Sequence, residues 1–285
     1  MKWLITGAGG MAGRDLHDAL ITRGEDVVPL THIDLDITDS RSVNSIIGEH
    51  APDVIVNCAA YTKVDQAESE ESVANAINGS SVELLASAAN SVDALLVQLS
   101  TDFVFDGSST TPYDVTDATR PLSAYGRSKL LGELAATHSK KHLVIRTSWL
   151  FGVHGYNFVE AIRNQIRKGT DPLRVVSDQR GKPTYTPHLA DAVIRLAFLA
   201  HDSDVARGIV HYADEDECSW FDFASAIAEE SGAAVKVRRV TSEDFPRPAR
   251  RPAYSVLSTE RYERLTGVRP RSWREGLREY LTLRT

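Results

Sequence analysis

KWLITGAGGMAG, residues 2–13, is the stretch whose reading decides the fold. Lys2 to Thr6 is mostly apolar and has the length of a buried strand. Glycines at 7, 9, 10 and 13 then make a turn, and Leu16, Ala19 and Leu20 follow at helical spacing. A strand, a glycine turn and a helix start bring free backbone N–H groups and the positive end of a helix dipole to one point. The absent side chains let an anion approach. The spacing Gly7, Gly10, Gly13 is GxxGxxG rather than GxGxxG. Its position between a strand and a helix favours a dinucleotide cradle over a plain tight turn, and with it a doubly wound parallel α/β sheet of the Rossmann type.

Working outward, the second strand is expected at Asp26 to Leu30. An acid at its end would bind the ribose 2′-hydroxyl of NAD, but Thr31 and His32 stand there. Arg14, just past Gly13, is placed to meet a 2′-phosphate, so the cofactor expected is NADPH, with NADH as the alternative. Asp36-Ile37 is read against the adenine and Asp39 as the cap of a helix carrying Val43 and Ile46. A third strand, Val54 to Val56, ends in Asn57-Cys58-Ala59-Ala60, whose small residues let a cofactor lie close. Cys58 reads as a small packed hydrophobe rather than a nucleophile. Residues 64–90 have the spacing of two helices, and Glu68, Glu70 and Glu71 read as a solvated face. Leu95 to Leu99 is a fourth strand that delivers Ser100-Thr101-Asp102 at its carboxyl end, where such sheets carry reacting groups.

Next comes SAYGRSKLLGE, residues 123–133. Tyr125 and Lys129 are four apart, so on a helix they share a side one turn apart. A fixed ammonium near a phenol stabilises the phenolate and lowers a pKa that is otherwise near ~10. Carbonyl reduction needs a proton donor of this kind, because the oxygen takes a proton as the carbon takes a hydride. Thr101 would hydrogen-bond the carbonyl while Tyr125 supplies the proton.

Composition closes off other classes. The 285 residues are 42% apolar, enough for one broad α/β domain with an elaboration, or two lobes. The net charge is -7, from 39 acidic and 32 basic residues, with no long basic run, which argues against nucleic acid. Cys58 and Cys218 form no CxxC pair, which fits a reduced compartment, and no segment reads as a signal or a membrane span. A cytoplasmic protein is expected.

ITGAGGMAG, NCAAYTKVDQAE, LSTDFVFDG, PLSAYGRSKLLGE, RTSWLFG and DQRGKPTY, in that order, resemble the dTDP-4-dehydrorhamnose reductases of the extended short-chain dehydrogenase/reductase group. The resemblance implies Thr101, Tyr125 and Lys129 as the catalytic set, with Thr101 and Asp102 at the substrate. It implies Gly7, Gly10, Met11, Ala12 and Gly13 at the pyrophosphate, Asp36 and Ile37 near the adenine, and Ala59, Ala60, Tyr61, Thr62 and Leu99 along the cofactor. Trp149 matches a tryptophan that contacts the sugar nucleotide. The implied substrate is a dTDP-4-keto-6-deoxysugar, and a homodimer is left open. Pro187 stands where some members supply glutamates to a bridging metal, so no metal is expected.

Beyond Trp149 the sequence predicts an amphipathic helix at 157–167, a strand at 173–176, a helix at 188–199, a strand at 208–212 and a helix at 221–230 capped by Ser219. RPARRP, residues 247–252, cannot be an ordinary helix. At Arg251 the resemblance adds a nucleotide-sugar contact, and a guanidinium fork suits a pyrophosphate. The expected organisation is a nucleotide-binding domain over 1–150, rejoined by 187–214, and a smaller C-terminal substrate lobe from 151–186 and 215–285. Two other readings belong to the same fold: a non-catalytic dinucleotide-binding regulatory subunit like that of methionine adenosyltransferase, and a nucleotide-sugar epimerase or dehydratase.

Overall fold

The computed structural model describes residues 1–284. Strands and helices alternate along the first half: β1 (Lys2–Thr6), α1 (Met11–Thr22), β2 (Asp26–Leu30), α2 (Ser40–His50) and β3 (Val54–Asn57). A helix follows in two α-helical parts, α3 (Glu71–Asn75) and α4 (Ser81–Ser91), joined by a π turn at Ala76–Ser80. Then come β4 (Leu95–Thr101), α5 (Ala124–Ala136) and β5 (His142–Thr147). The second half contains β6 (Leu150–Phe151), α6 (Phe158–Arg167), β7 (Leu173–Val176), β8 (Arg180–Gly181), β9 (Thr184–Tyr185), α7 (Thr186–Asp202) and β10 (Gly208–His211). It ends with β11 (Cys218–Ser219), α8 (Trp220–Glu230), β12 (Val237–Val240), α9 (Glu260–Thr266) and α10 (Trp273–Leu283).

Six strands form one parallel sheet in the order β10-β5-β4-β3-β1-β2. Strand order reverses at β1, whose neighbours are β2 and β3, and in open α/β sheets the crevice at such a switch point takes the ligand. Both faces are covered, which is why the strands read as almost unbroken apolar runs. Alternate residues point to opposite faces. Trp3, Ile5, Val56, Val97 and Ile145 meet Leu16 and Leu20 of α1 and Leu189 and Val193 of α7, whereas Leu4, Ile55, Leu96 and Val144 meet α2 and α4. Each such buried side chain contributes roughly 1.5–3 kcal/mol.

A second core lies outside this sheet, where Phe151, Ile162, Leu173, Tyr185, Phe223, Trp273 and Tyr280 pack together. It draws on α6, α8 and α10 and on the small pairs β7·β12, β8·β11 and β6·β9. Within 215–285, which the sequence reading assigned to the smaller lobe, α9 goes back to the large sheet. Its Tyr262 is buried in the first core, edge-on to Tyr212 at 4.9 Å. No helix among the described residues is long and apolar enough to cross a membrane.

Candidate active site

The glycine turn folds as its residue types require. Gly7 sits at φ +65, and a side chain there would drive a Cβ to 2.5 Å from the Ala59 amide nitrogen. A Cβ on Gly13 would lie 2.5 Å from the Gly7 carbonyl oxygen, so α1 can pack this tightly on β1 only through glycine. Helix α1 starts at an N-cap, Gly10, that supplies no side-chain bond, which leaves first-turn amides for an anion. These features fit a dinucleotide pyrophosphate, with Gly10, Met11 and Ala12 at the helix start to hold it.

A chain of polar side chains, inside strands that are otherwise apolar, runs from this turn across the sheet. Thr6 Oγ1 donates to Asn57 Oδ1 at 2.6 Å, Asn57 Nδ2 to Gln98 Oε1 at 2.7 Å, and Gln98 Nε2 to the Leu99 carbonyl at 2.8 Å. The same carbonyl accepts from Lys129 Nζ at 2.6 Å. Lys129 is only 5% exposed. Burial lowers its pKa to about 8, against the pull of Glu133 and Cys58. Cys58 is an inert thiol, pushed up to about 12 by burial.

Tyr125 and Lys129 lie on α5, which Ser123 caps through the Gly126 amide at 3.1 Å. Thr101 ends β4 and is buried; its hydroxyl donates to Asp102 Oδ1 at 3.0 Å and accepts from the Phe103 amide at 3.2 Å. Lys129 was expected to lower the Tyr125 pKa. The ammonium instead bonds the Leu99 carbonyl, and the phenol is pushed up to about 12 by burial, with Thr101 drawing it down and the Asp102 charge raising it. Asp102 is 1% exposed and its Oδ2 has no hydrogen-bond partner of good geometry. Burial lifts its carboxyl to about 6, opposed by the Ser255 and Thr101 hydroxyls.

Trp149 follows β5 with φ +47, a backbone state that costs a bulky residue about 1–3 kcal/mol and clusters at functional sites. Its ring stacks on Trp220 at 3.5 Å and 7°. Trp220 lines a cavity of about 590 Å³ whose wall also includes Asp65, Arg174, Gln179, Phe245 and Arg251. Arg251 is not free, because it forks onto Asp65 with Nη1 and Nη2 each 3.0 Å from a carboxylate oxygen.

Several other expected residues have different tasks. Ile37 is 6% exposed and its side chain packs in the core beneath α2, so only its backbone could meet an adenine. Asp36 is exposed, and its Oδ1 takes the Thr38 amide and hydroxyl. Arg14 is exposed with Nε on the Gly9 carbonyl at 3.2 Å, which leaves its terminal nitrogens unused by that bond. Tyr61 donates its hydroxyl to Glu70 at 2.7 Å and its amide to Asn78 in the π turn at 2.8 Å, beside exposed Thr62. Ala59 and Ala60 are half-buried next to the turn. Glu68, Glu70 and Glu71 are no idle solvated face: Glu68 accepts the Ala124 amide at the start of α5 and Glu71 accepts from Arg127 Nε at 2.7 Å.

Sequence reasoning passed over Gln98, Glu133 and Arg146, and read Asn57 only as part of a strand end of small residues, though all four are buried. The available signal was a polar residue inside an apolar strand, as in VIVN and LLVQLS.

Fold and site define a dinucleotide-dependent oxidoreductase of the extended short-chain dehydrogenase/reductase class. The family model described as "RmlD substrate binding domain" matches residues 1–285, and the chain belongs to that family, the one containing the dTDP-4-dehydrorhamnose reductases. It is 45% identical over 285 residues to the spore coat polysaccharide biosynthesis protein SpsK of Bacillus subtilis, covering 100% of this chain and 98% of that one. It is 42% identical to the dTDP-4-dehydrorhamnose reductase of Aggregatibacter actinomycetemcomitans, covering 97% of each. The crystal structure of the Bacillus anthracis dTDP-4-dehydrorhamnose reductase in complex with NADP superposes with a TM-score of 0.93, at 36% identity and 99% coverage of both chains. The protein is accordingly an NAD(P)H-dependent enzyme.

Proposed function

We propose that the protein reduces the 4-keto group of a dTDP-linked 6-deoxysugar, with dTDP-4-dehydro-L-rhamnose as substrate and dTDP-L-rhamnose as product. The observation that supports this best is the meeting of the β4 end and α5 beside the glycine turn, through Lys129 Nζ and the Leu99 carbonyl. When bound, NADPH supplies the hydride. Gly7, Gly10, Met11, Ala12 and Gly13 hold its pyrophosphate, and Lys129 bonds its nicotinamide ribose.

Thr101 orients the substrate carbonyl by turning its hydroxyl from Asp102 to the oxygen, Asp102 lies beside it at the substrate, and Tyr125 gives its phenolic proton to the oxygen as negative charge develops there. A phenol near 12 stays protonated until an alkoxide, which is more basic, forms beside it. Thr101 and Asp102 on one side of the half-buried Tyr125 are themselves buried, which limits the water that can compete for that proton. The nucleotide part lies in the cavity between Trp220 and Arg251, with Trp149 at the sugar, and the second core serves as the substrate lobe. NADPH is preferred because neither Thr31 nor His32 is acidic and Arg14 stands past Gly13 to meet a 2′-phosphate, the nearby Asp34 carboxylate being engaged by the Thr31 amide and hydroxyl.

Purified protein given NADPH and dTDP-4-dehydro-L-rhamnose should oxidise the cofactor in step with sugar consumed. Binding of NADPH without any loss of its absorbance overturns the proposal in favour of a regulatory subunit. Purification with tightly held NAD and no net oxidation points to an epimerase or dehydratase.

A further inference from the structure

One turn beyond Lys129 on α5 stands Glu133, 3% exposed and the centre of a polar cluster that the reaction above does not use. The Arg146 guanidinium forks onto it, Nε to Oε1 at 2.9 Å and Nη2 to Oε2 at 2.7 Å. Ser100 Oγ donates to the same Oε1 at 2.5 Å. Arg146 Nη1 lies 3.3 Å from His211 Nε2, and His211 Nδ1 lies 3.1 Å from the Tyr113 carbonyl. A carbonyl only accepts, so Nδ1 carries the ring proton, Nε2 accepts from Arg146, and His211 is neutral. Burial and the Arg146 charge lower its pKa to about 3, which agrees with that tautomer.

Packing alone does not account for this cluster. The desolvation cost of a buried ion pair can exceed its Coulombic gain, and apolar residues of the same volume often fill such a site at no loss. Its members sit beside the catalytic set: Ser100 precedes Thr101, Arg146 is the β5 partner of Ser100 in the sheet register, and Glu133 is four residues from Lys129.

We infer that Glu133 is a positioning residue: its carboxylate, clamped by Arg146 and Ser100, is the fixed negative charge that keeps the Lys129 ammonium protonated and ties α5 to the end of β4. The inference rests on the assignment of Lys129 to the catalytic set. Burial works against the charge on Lys129, while Glu133 and Cys58 favour it. The Cys58 thiol is neutral at working pH, which leaves Glu133 as the anion that counters burial. The other titratable or charged groups packed around α5 are accounted for. Asp102 follows β4, Glu68 is on the Ala124 amide, Glu71 pairs with Arg127 and Glu83 faces His138, the last pair being exposed.

The test is the pH dependence of kcat/KM for NADPH in the full-length enzyme at saturating sugar nucleotide, the constant that reports the ribose contact given to Lys129. Glu133→Gln keeps the side-chain shape and removes the charge. The alkaline limb, set by Lys129, should move toward acid by about one pH unit, so that kcat/KM falls about tenfold above pH 8 and little near pH 6.5. Arg146→Met breaks the same ion pair but leaves the anion, and its limb should stay or move to higher pH. A purely structural role predicts that the two variants behave alike, so equal movement in both, or movement in neither, overturns the inference. Where the single variants do not fold, the double variant Glu133→Gln/Arg146→Met replaces the pair with neutral residues. Its limb must then lie below the wild-type limb, and an unmoved limb is again fatal. Lys129→Met assayed alongside separates the two failures, since full activity in that variant refutes the catalytic assignment itself.

Discussion

Arg251 and Asp65, 186 residues apart, form a bidentate ion pair at 3.0 Å for both bonds, and Arg251 Nη1 also donates to the Ala249 carbonyl at 2.9 Å. Burial opposes the charge on Asp65, but the guanidinium and the Ala249 amide hold its carboxyl below the usual range. The fork that sequence reasoning reserved for a pyrophosphate is thus already on a carboxylate at the cavity wall. A phosphate would have to compete with Asp65 or share the arginine with it. Arg251→Ala should raise KM for the nucleotide sugar about tenfold with a smaller change in kcat, the pattern of a contact common to ground and transition states. Asp65→Asn, which releases the guanidinium, should leave KM unchanged or lower it. Steady-state kinetics of the two variants decide the matter: equal rises in KM would mean that Arg251 holds the 247–252 segment and not the substrate.

Tyr125→Phe should remove most turnover, by about 10²–10⁴-fold, because only the donated proton is lost. The ring stays edge-on to Phe103 at 5.7 Å, so folding and NADPH affinity should hold within twofold to threefold. Turnover within threefold of wild type, measured with unchanged cofactor titration, would show that the proton comes from elsewhere.

Asp102 should make stability depend on pH in an identifiable window. Its folded pKa of about 6 stands above the 3.8 of a free aspartate side chain. Between these two values the native state keeps a proton that the unfolded chain has lost. The favourable contribution is therefore complete below about 4 and is lost as pH rises through about 6. The shift corresponds to about 3 kcal/mol. Asp102→Asn removes the titration, so its melting temperature should gain on wild type from pH 4 to pH 7. Parallel curves for the two proteins would mean that Asp102 titrates normally.

Much of the architecture was legible because the signals were local. The glycines at 7, 10 and 13, the apolar strand runs and the caps Asp39 and Ser219 all act within a few residues, and each appears where its chemistry requires. Pairings set by tertiary packing were not legible. Nothing near Glu68 in the sequence announces that it will take the amide of Ala124, or that Arg251 will find Asp65. Ile37, expected near the adenine together with Asp36, shows the same limit: Leu35 and Ile37, two residues apart, both turn their side chains inward to the core. The Tyr125–Lys129 relationship was read from helical spacing, which fixes a shared side but not which acceptor the ammonium prefers.

Gly181 offers a test of the role given to Trp149. A Cβ at Gly181 would lie 2.5 Å from Trp149 Cε2 and 2.8 Å from Nε1, closer than any real contact, so Gly181→Ala must move the indole. The ring is already stacked on Trp220 at 3.5 Å, and the Trp149 backbone is held at φ +47, which leaves it little freedom to yield. Overpacking of this kind costs typically ~1–3 kcal/mol. For a chain of this size that means a fall in melting temperature of roughly 2–4 °C per kcal/mol. Gly181 pairs with Cys218 in the small β8·β11 ladder, away from the glycine turn, so NADPH affinity should not change. The intrinsic tryptophan fluorescence should shift as the stack opens, and KM for the nucleotide sugar should rise about tenfold with it. A shifted emission spectrum with an unaltered KM would separate the two observations, leaving Trp149 as a packing residue and removing it from the sugar site.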